Sequence, residues 1–261
     1  MSGHIIILPA LNYPAVCAGT RLSPVDDGNL NRAFPGCAKG NPTEMLADFV
    51  VSTLFPRVDF VIDLHSGGRS LEFLPCALAK YSDNGSATET AQLELLRQFA
   101  APVSYLTSGK GGGGETTLAA AAQQLNVPAI MTELGGGERI SLKGLVIAKN
   151  GILNVLRAQG ILRSERSFAD LNSTRFMRVN GPADYVYAPH DCIFEPLVEL
   201  GQSVNEGDPA GRLYRYGELD EQPRILNFES SGTVACKRSQ SSARHGDCLF
   251  HLFQEIDDPG N

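Results

Sequence analysis

Apolar residues follow two different patterns along this chain, and the change between them outlines its architecture. In the first 160 residues, short unbroken apolar runs alternate with stretches of helical period. His4-Ile-Ile-Ile-Leu-Pro9, Phe60-Val-Ile-Asp-Leu64 and Val127-Pro-Ala-Ile-Met-Thr132 are too short for core helices and are rich in β-branched residues. Such runs predict strands covered on both faces. Leu71-Glu-Phe-Leu-Pro75 predicts another short strand. Helices are predicted from Asn41 to about Phe55, over 86–100, from about Glu115 to Leu125 and from about Ser141 to Gln159. The first has a capping residue in Asn41, a first-turn proline in Pro42 and a glutamate three positions on in Glu44. The second places Leu93, Leu96, Phe99 and Ala100 on one face.

Past Gly160 the pattern shifts to short strands separated by turn residues, which predicts a separate β domain from residue 166 to 261 after an α/β domain over 1–165. The β part holds a faint repeat. Val204-Asn-Glu-Gly-Asp-Pro-Ala-Gly-Arg-Leu and Ala243-Arg-His-Gly-Asp-Cys-Leu-Phe-His-Leu share a Gly-Asp turn leading into an apolar strand. Two related halves predict a small quasi-symmetric barrel.

Composition narrows the functional classes. With 261 residues and 43% hydrophobic content the chain can build a sizeable core. Its 22 Lys and Arg stand against 29 Asp and Glu, with no basic run, which argues against nucleic acid or anionic membrane as partners. Six cysteines show no CxxC pair and read as reduced thiols of a cytoplasmic protein. The first residues lack the features of an export signal, and no apolar run approaches the ~20 residues of a membrane span.

Candidate chemistry sits at strand ends and in one long polar segment. Asp63 and His65 are two apart on a predicted strand, so they point to the same side, and Gly67 and Gly68 leave room for a ligand. This is the pattern of a metal-ligand histidine with a supporting carboxylate, and equally of a core histidine hydrogen-bonded at a strand end. Glu133 ends the strand begun at Val127 and is followed by Gly135-Gly-Gly137, repeating the arrangement at His65. It reads as a general base or as a solvated cap for the next helix. Residues 10–36 form a long Asn-, Pro- and Gly-rich segment, a length that usually serves function. Within it Asn31 and Arg32 suit bidentate capture of a carboxylate, or are solvated at the surface. The run Gly109–Gly114 lacks the order of a phosphate-binding loop, since Lys110 precedes the glycines, and reads as a hinge or close-approach loop.

Four motifs in order, Asn12-Tyr-Pro-Ala with Ala18-Gly-Thr-Arg21, Asn29-Leu-Asn31-Arg32-Ala-Phe-Pro-Gly36, Asp63-Leu-His65-Ser-Gly-Gly and Thr132-Glu133-Leu-Gly-Gly, resemble the succinylglutamate desuccinylase/aspartoacylase family, relatives of the zinc carboxypeptidases. The resemblance implies a zinc carboxypeptidase-like mixed sheet flanked by helices, followed by a small β-barrel-like domain with biotinyl/lipoyl-like halves. The linking hairpin Tyr216–Gln222 has no lysine to modify, so no carrier role is expected. By the same resemblance His65 is a zinc ligand, Glu133 the catalytic acid/base, Arg21 the oxyanion stabiliser, and Asn31 with Arg32 the clamp on a substrate carboxylate. The implied activity is zinc-dependent hydrolysis of the amide or ester bond of an N-acyl amino acid or similar small carboxylate. Alternatives are a metal-free binder of acylated or anionic small molecules and a purely structural domain.

One departure stands out. The family carries two further zinc ligands in an HGxE segment ahead of the strand matching His4–Pro9, and no HxxE occurs in residues 1–64. A catalytic zinc takes three protein ligands, so His65 alone is not expected to hold it tightly. Either the domain is N-terminally truncated or it has lost the metal; the expectation is truncation, with the metal site incomplete in this chain.

Overall fold

The computed structural model describes residues 2–109, 114–163, 173–217 and 222–260. In chain order the first half contains α1 (Tyr13–Ala18), α2 (Pro42–Phe49), β1 (Val61–His65), β2 (Leu71–Phe73), β3 (Cys76–Lys80), α3 (Ala87–Phe99), β4 (Val103–Thr107), α4 (Leu118–Gln124), β5 (Ala129–Glu133) and α5 (Leu142–Ala158). The second half is almost entirely strand: β6 (Arg175–Arg178), β7 (Tyr185–Tyr187), β8 (Cys192–Pro196), β9 (Ser203–Val204), β10 (Pro209–Tyr214), β11 (Arg224–Asn227), β12 (Gly232–Arg238), β13 (Ser242–Ala243) and β14 (Cys248–Glu255).

Among the described residues, the main sheet runs β1-β5-β3-β4-β6-β14-β12-β2, with β7 paired to β14 and β9 to β12. It is mixed. β1 is parallel to β5, and β3 to β4, while β3 and β5 run antiparallel. Alternation along β5 shows why both faces are covered. Ile130 joins Leu93, Leu96, Phe99 and Val155 of α3 and α5, whereas Ala129 joins Ala47, Ala121 and Ala122 of α2 and α4.

Local chemistry explains several boundaries. At the start of α2 the Asn41 side chain accepts from Glu44 N at 2.9 Å and the Glu44 carboxylate accepts from Asn41 N at 2.9 Å, a reciprocal cap. The helical path then continues through a wider turn, Val50–Leu54, and a tight one, Phe55–Arg57. Ser86 caps α3 and Ser141 caps α5 in the same single-donor manner.

Three differences from the sequence reading have physical causes. The run Ile5–Leu8 is not a buried strand: it pairs with none of the described strands, and its four side chains are 42–75% exposed. β-branched composition favours an extended backbone but supplies no hydrogen-bonding neighbour. Strands β3 and β4 were not expected. Cys76-Ala-Leu-Ala-Lys80 is built of weak β-formers and is held by burial between β5 and β4. The long polar segment contains α1, opened by Asn12 accepting from Ala15 N and closed by Gly19 at φ 63°.

The boundary expected between residues 165 and 166 lies outside the described residues. β6 pairs parallel with β4, and β14 pairs with β6, so they extend the main sheet. A four-stranded antiparallel sheet, β11-β10-β8-β13, lies against this extension around Phe194, Leu213, Phe228 and Phe250. The repeated turns share one geometry. Asp208 accepts from Asn205 N at 2.7 Å and Asp247 from Arg244 N at 2.8 Å, with Gly207 and Gly246 at φ 86° and 83°. Residues 218–221 of the predicted hairpin and 110–113 of the glycine run lie outside the described residues. No described helix is long and apolar enough to cross a membrane.

Candidate active site

His65 and Glu133 end adjacent parallel strands and are register partners. Register partners on neighbouring strands project to the same face, so the imidazole and the carboxyl group stand side by side at the carboxyl edge of the sheet. Asp63 projects there as well, and its Oδ2 lies 2.7 Å from His65 Nε2. The backbone is tied too: His65 N donates to Thr132 Oγ1 at 3.1 Å, and Leu134 N donates to His65 O at 3.0 Å. Thr132 is wholly buried, and its tie to His65 was missed from sequence because a lone threonine at a strand end is unremarkable there.

Glycines close the site behind these two residues. The Gly135 carbonyl accepts from Gly67 N at 2.9 Å and from Phe73 N at 3.2 Å, while Gly137 N and Glu138 N donate back to Leu71 and Gly68. The segment after Glu133 therefore straps the loop after His65 to β2. Gly136 is the tightest point. A Cβ there would sit 1.9 Å from Leu71 O, and its φ of +154° disfavours any side chain. Gly136→Ala is expected to cost about 2–4 kcal/mol. Urea unfolding checks this, and a wild-type midpoint would show that the strap is looser than described.

The electrostatics separate the two groups. Burial drives the Glu133 carboxyl up to about 7, with the His65 imidazole opposing, the Asp63 charge adding and Arg21 opposing. One of its oxygens, Oε2, is buried and has no hydrogen-bond partner. For His65, burial pulls downward, but the hydrogen bond to Asp63 and the charges of Asp63 and Glu133 outweigh it, and the imidazole is raised above its ordinary value. Its side chain is about one-third exposed, at 32%.

The long early segment brings its cations to the same place. Arg21 is felt electrostatically by His65, Glu133 and Arg32, so the two arginines and the strand ends share one neighbourhood. Arg32 is pulled down first by partial burial and then by Arg21. Neither guanidinium makes a close ion pair with a described carboxylate; Arg21 is attracted to Glu133 at longer range, and Arg32 donates to the Asn31 carbonyl at 2.5 Å. Asn31 has a structural bond as well. Its Oδ1 accepts from Leu118 N at 3.0 Å at the start of α4, which leaves its amide N–H groups as donors.

Among the described residues no three His, Cys, Asp or Glu side chains gather as one ion would require. The described residues therefore supply fewer than the three protein ligands that a catalytic zinc takes.

Fold and site together define a mixed-sheet α/β protein with a candidate acid–base centre at the carboxyl ends of paired strands. Residues 1–159 match the model of the succinylglutamate desuccinylase/aspartoacylase catalytic domain, and the chain belongs to that family. It is 32% identical over 260 residues to the N-alpha-acetyl-L-2,4-diaminobutyric acid deacetylase of Halomonas elongata, covering 100% of this chain and 75% of that protein. Among solved structures, the product-bound ectoine utilization protein EutE (DoeB) of Ruegeria pomeroyi superposes with a TM-score of 0.87 at 34% identity, covering 95% of this chain and 74% of that one. A succinylglutamate desuccinylase/aspartoacylase of Rhodobacter sphaeroides gives 0.86 at 30% identity, covering 95% and 74%.

Proposed function

We propose that this site hydrolyses the amide, or ester, bond of an N-acyl amino acid or similar small carboxylate, releasing the acid and the free amine or alcohol. The observation that carries the reading is the His65–Glu133 register pair, with a buried, unpartnered carboxyl oxygen and the charges of Arg21 and Arg32 in the same neighbourhood. The names of relatives point the same way, since one is a deacetylase of an N-acetylated amino acid.

The chain's own groups divide the work. Glu133, held near neutrality by burial, takes a proton from the attacking water and delivers it to the leaving amine. Arg21 faces the negative charge that grows on the acyl oxygen. Arg32, with the amide N–H groups of Asn31, holds the substrate carboxylate through charge-assisted hydrogen bonds. The family resemblance adds zinc with His65 as a ligand, a metal that polarises the acyl oxygen and activates water. When bound, the metal would need further ligands besides His65, and no three candidate ligands gather among the described residues.

The domain reading is part of this proposal: residues 1–165 carry the chemistry, and 166–261 form a small β-barrel-like unit with two quasi-repeated halves. Its separate core and its two matching Gly-Asp turns support it.

Two measurements test the function. The purified chain, assayed with a panel of N-acetyl and N-succinyl amino acids both without and with added zinc, is expected to release free amine in at least one of the two conditions. Calorimetry is expected to show those ligands binding about tenfold more weakly or worse to Arg32→Ala, the loss of one charged hydrogen-bonding group. No amine release together with unchanged binding in Arg32→Ala would overturn the reading.

A further inference from the structure

A cleft of about 310 Å³ lies between the loop after β5 and the turn joining β12 to β13. None of Arg21, Asn31, Arg32, His65 or Glu133 lines it. Its polar lining is unusual for a chain of net charge −7: Arg139, Lys237 and Arg238 face it with a single carboxylate, Glu72. Ser239 and Ser241 add hydroxyl groups, and Phe194 with Pro196 supplies a short apolar wall.

The three cations differ in how firmly they are held. Arg238 has only 9% of its side chain exposed and is fixed by Asp247 at 2.9 Å and by the Ser242 carbonyl at 2.9 Å. It is a fixed cation whose charge Asp247 largely balances, so the exchangeable positive charge lies on Lys237 and Arg139. Lys237 pairs at 2.6 Å with Glu199, whose side chain is 84% exposed. Arg139 pairs at 2.6 Å with Glu72 and is itself 67% exposed. Each pair joins a largely buried partner, Lys237 at 14% and Glu72 at 22%, to an exposed one, so a ligand anion reaches Lys237 by displacing the exposed Glu199 and reaches the exposed Arg139 directly. The volume matches a metabolite rather than a macromolecule.

We infer that this cleft is a second binding site, separate from the candidate active site, which takes a small organic anion, carboxylate or phosphate, between Arg139 and Lys237. It has a direct route to the strap. Glu72 forms a backbone bridge with Gly136, and Gly137 lines the cleft, so a ligand that draws Arg139 from Glu72 acts on the segment holding Gly67 and Phe73.

The test is calorimetric titration of the 261-residue chain with glutarate and, separately, with inorganic phosphate at constant ionic strength. Wild type, Arg139→Gln, Lys237→Met and the double variant Arg21→Ala/Arg32→Ala are compared, with thermal melts to show that each is folded. Saturable binding is expected, weakened at least fivefold by Arg139→Gln and by Lys237→Met and retained by the double variant. Whichever probe binds more tightly identifies the source as a carboxylate or a phosphate. Should Lys237→Met fail to fold, the exposed Arg139→Gln carries the test alone. The inference fails if wild type binds neither anion saturably. It also fails if binding survives Arg139→Gln and disappears in the Arg21/Arg32 variant, which would assign the anion to the active site.

Discussion

Replacing Glu133 by glutamine is expected to lower the turnover of an N-acyl amino acid by about 10²–10⁴-fold, the usual contribution of a positioned proton-transfer group. Glutamine keeps the volume and the hydrogen-bonding reach of the side chain while removing its proton traffic. The change therefore isolates the chemistry from the packing, which Glu133→Ala would disturb by leaving a hole beside His65. Thermal stability is expected to hold, because a neutral amide is buried where burial already disfavours the ionised carboxylate. Binding of substrate is expected to hold as well, since Arg32 and Asn31 remain. Steady-state kinetics alongside a melting curve separate these effects. Turnover within tenfold of wild type in a folded variant would remove Glu133 from proton transfer.

A second large effect concerns stability. His251 on β14 is 6% exposed, stacked on Tyr185 at 4.4 Å, with Phe73, Tyr105 and Phe253 set edge-on around it. Its Nε2 is buried without a hydrogen-bond partner. Burial lowers this imidazole from 6.5 to about 4, with only the Asp184 charge opposing. The unfolded chain therefore takes up the proton more readily than the folded one between those values. The stabilising contribution is complete above pH 6.5 and is lost as pH falls from 6.5 toward 4, by on the order of 3 kcal/mol. His251→Phe keeps the ring and removes the proton, so its urea-unfolding free energy is expected to be flatter over that window. Parallel slopes for the variant and wild type would exclude His251 as the source.

The cluster around His251 also illustrates what a linear reading misses. Phe73, Cys236, His251 and Tyr185 are opposite one another across β2, β12, β14 and β7, strands separated by as many as 178 positions in the chain. No local period announces such a row, because each member comes from a different strand. The strap from Gly135 to Glu138 is similar. Its three glycines were visible as a run, but that Gly136 presses on the Leu71 carbonyl was not.

The sequence by itself determined the helices with caps, as at Asn41 and Ser141, and the apolar strands that carry His65 and Glu133, because caps and periodicity are local and each is written within a few residues. It also marked Asn31 and Arg32 through the length and polarity of their segment, and Arg21 through the family resemblance. Only the tertiary structure decided that Ile5–Leu8 pairs with no described strand, that Cys76–Lys80 and Val103–Thr107 are strands, and that the C-terminal strands extend the main sheet. Each of those outcomes depends on which neighbour supplies hydrogen bonds and burial. A neighbour distant in sequence leaves no trace in the local pattern: the repeated strand ends and the family resemblance put His65 and Glu133 at one site, but their register as adjacent partners is a tertiary fact.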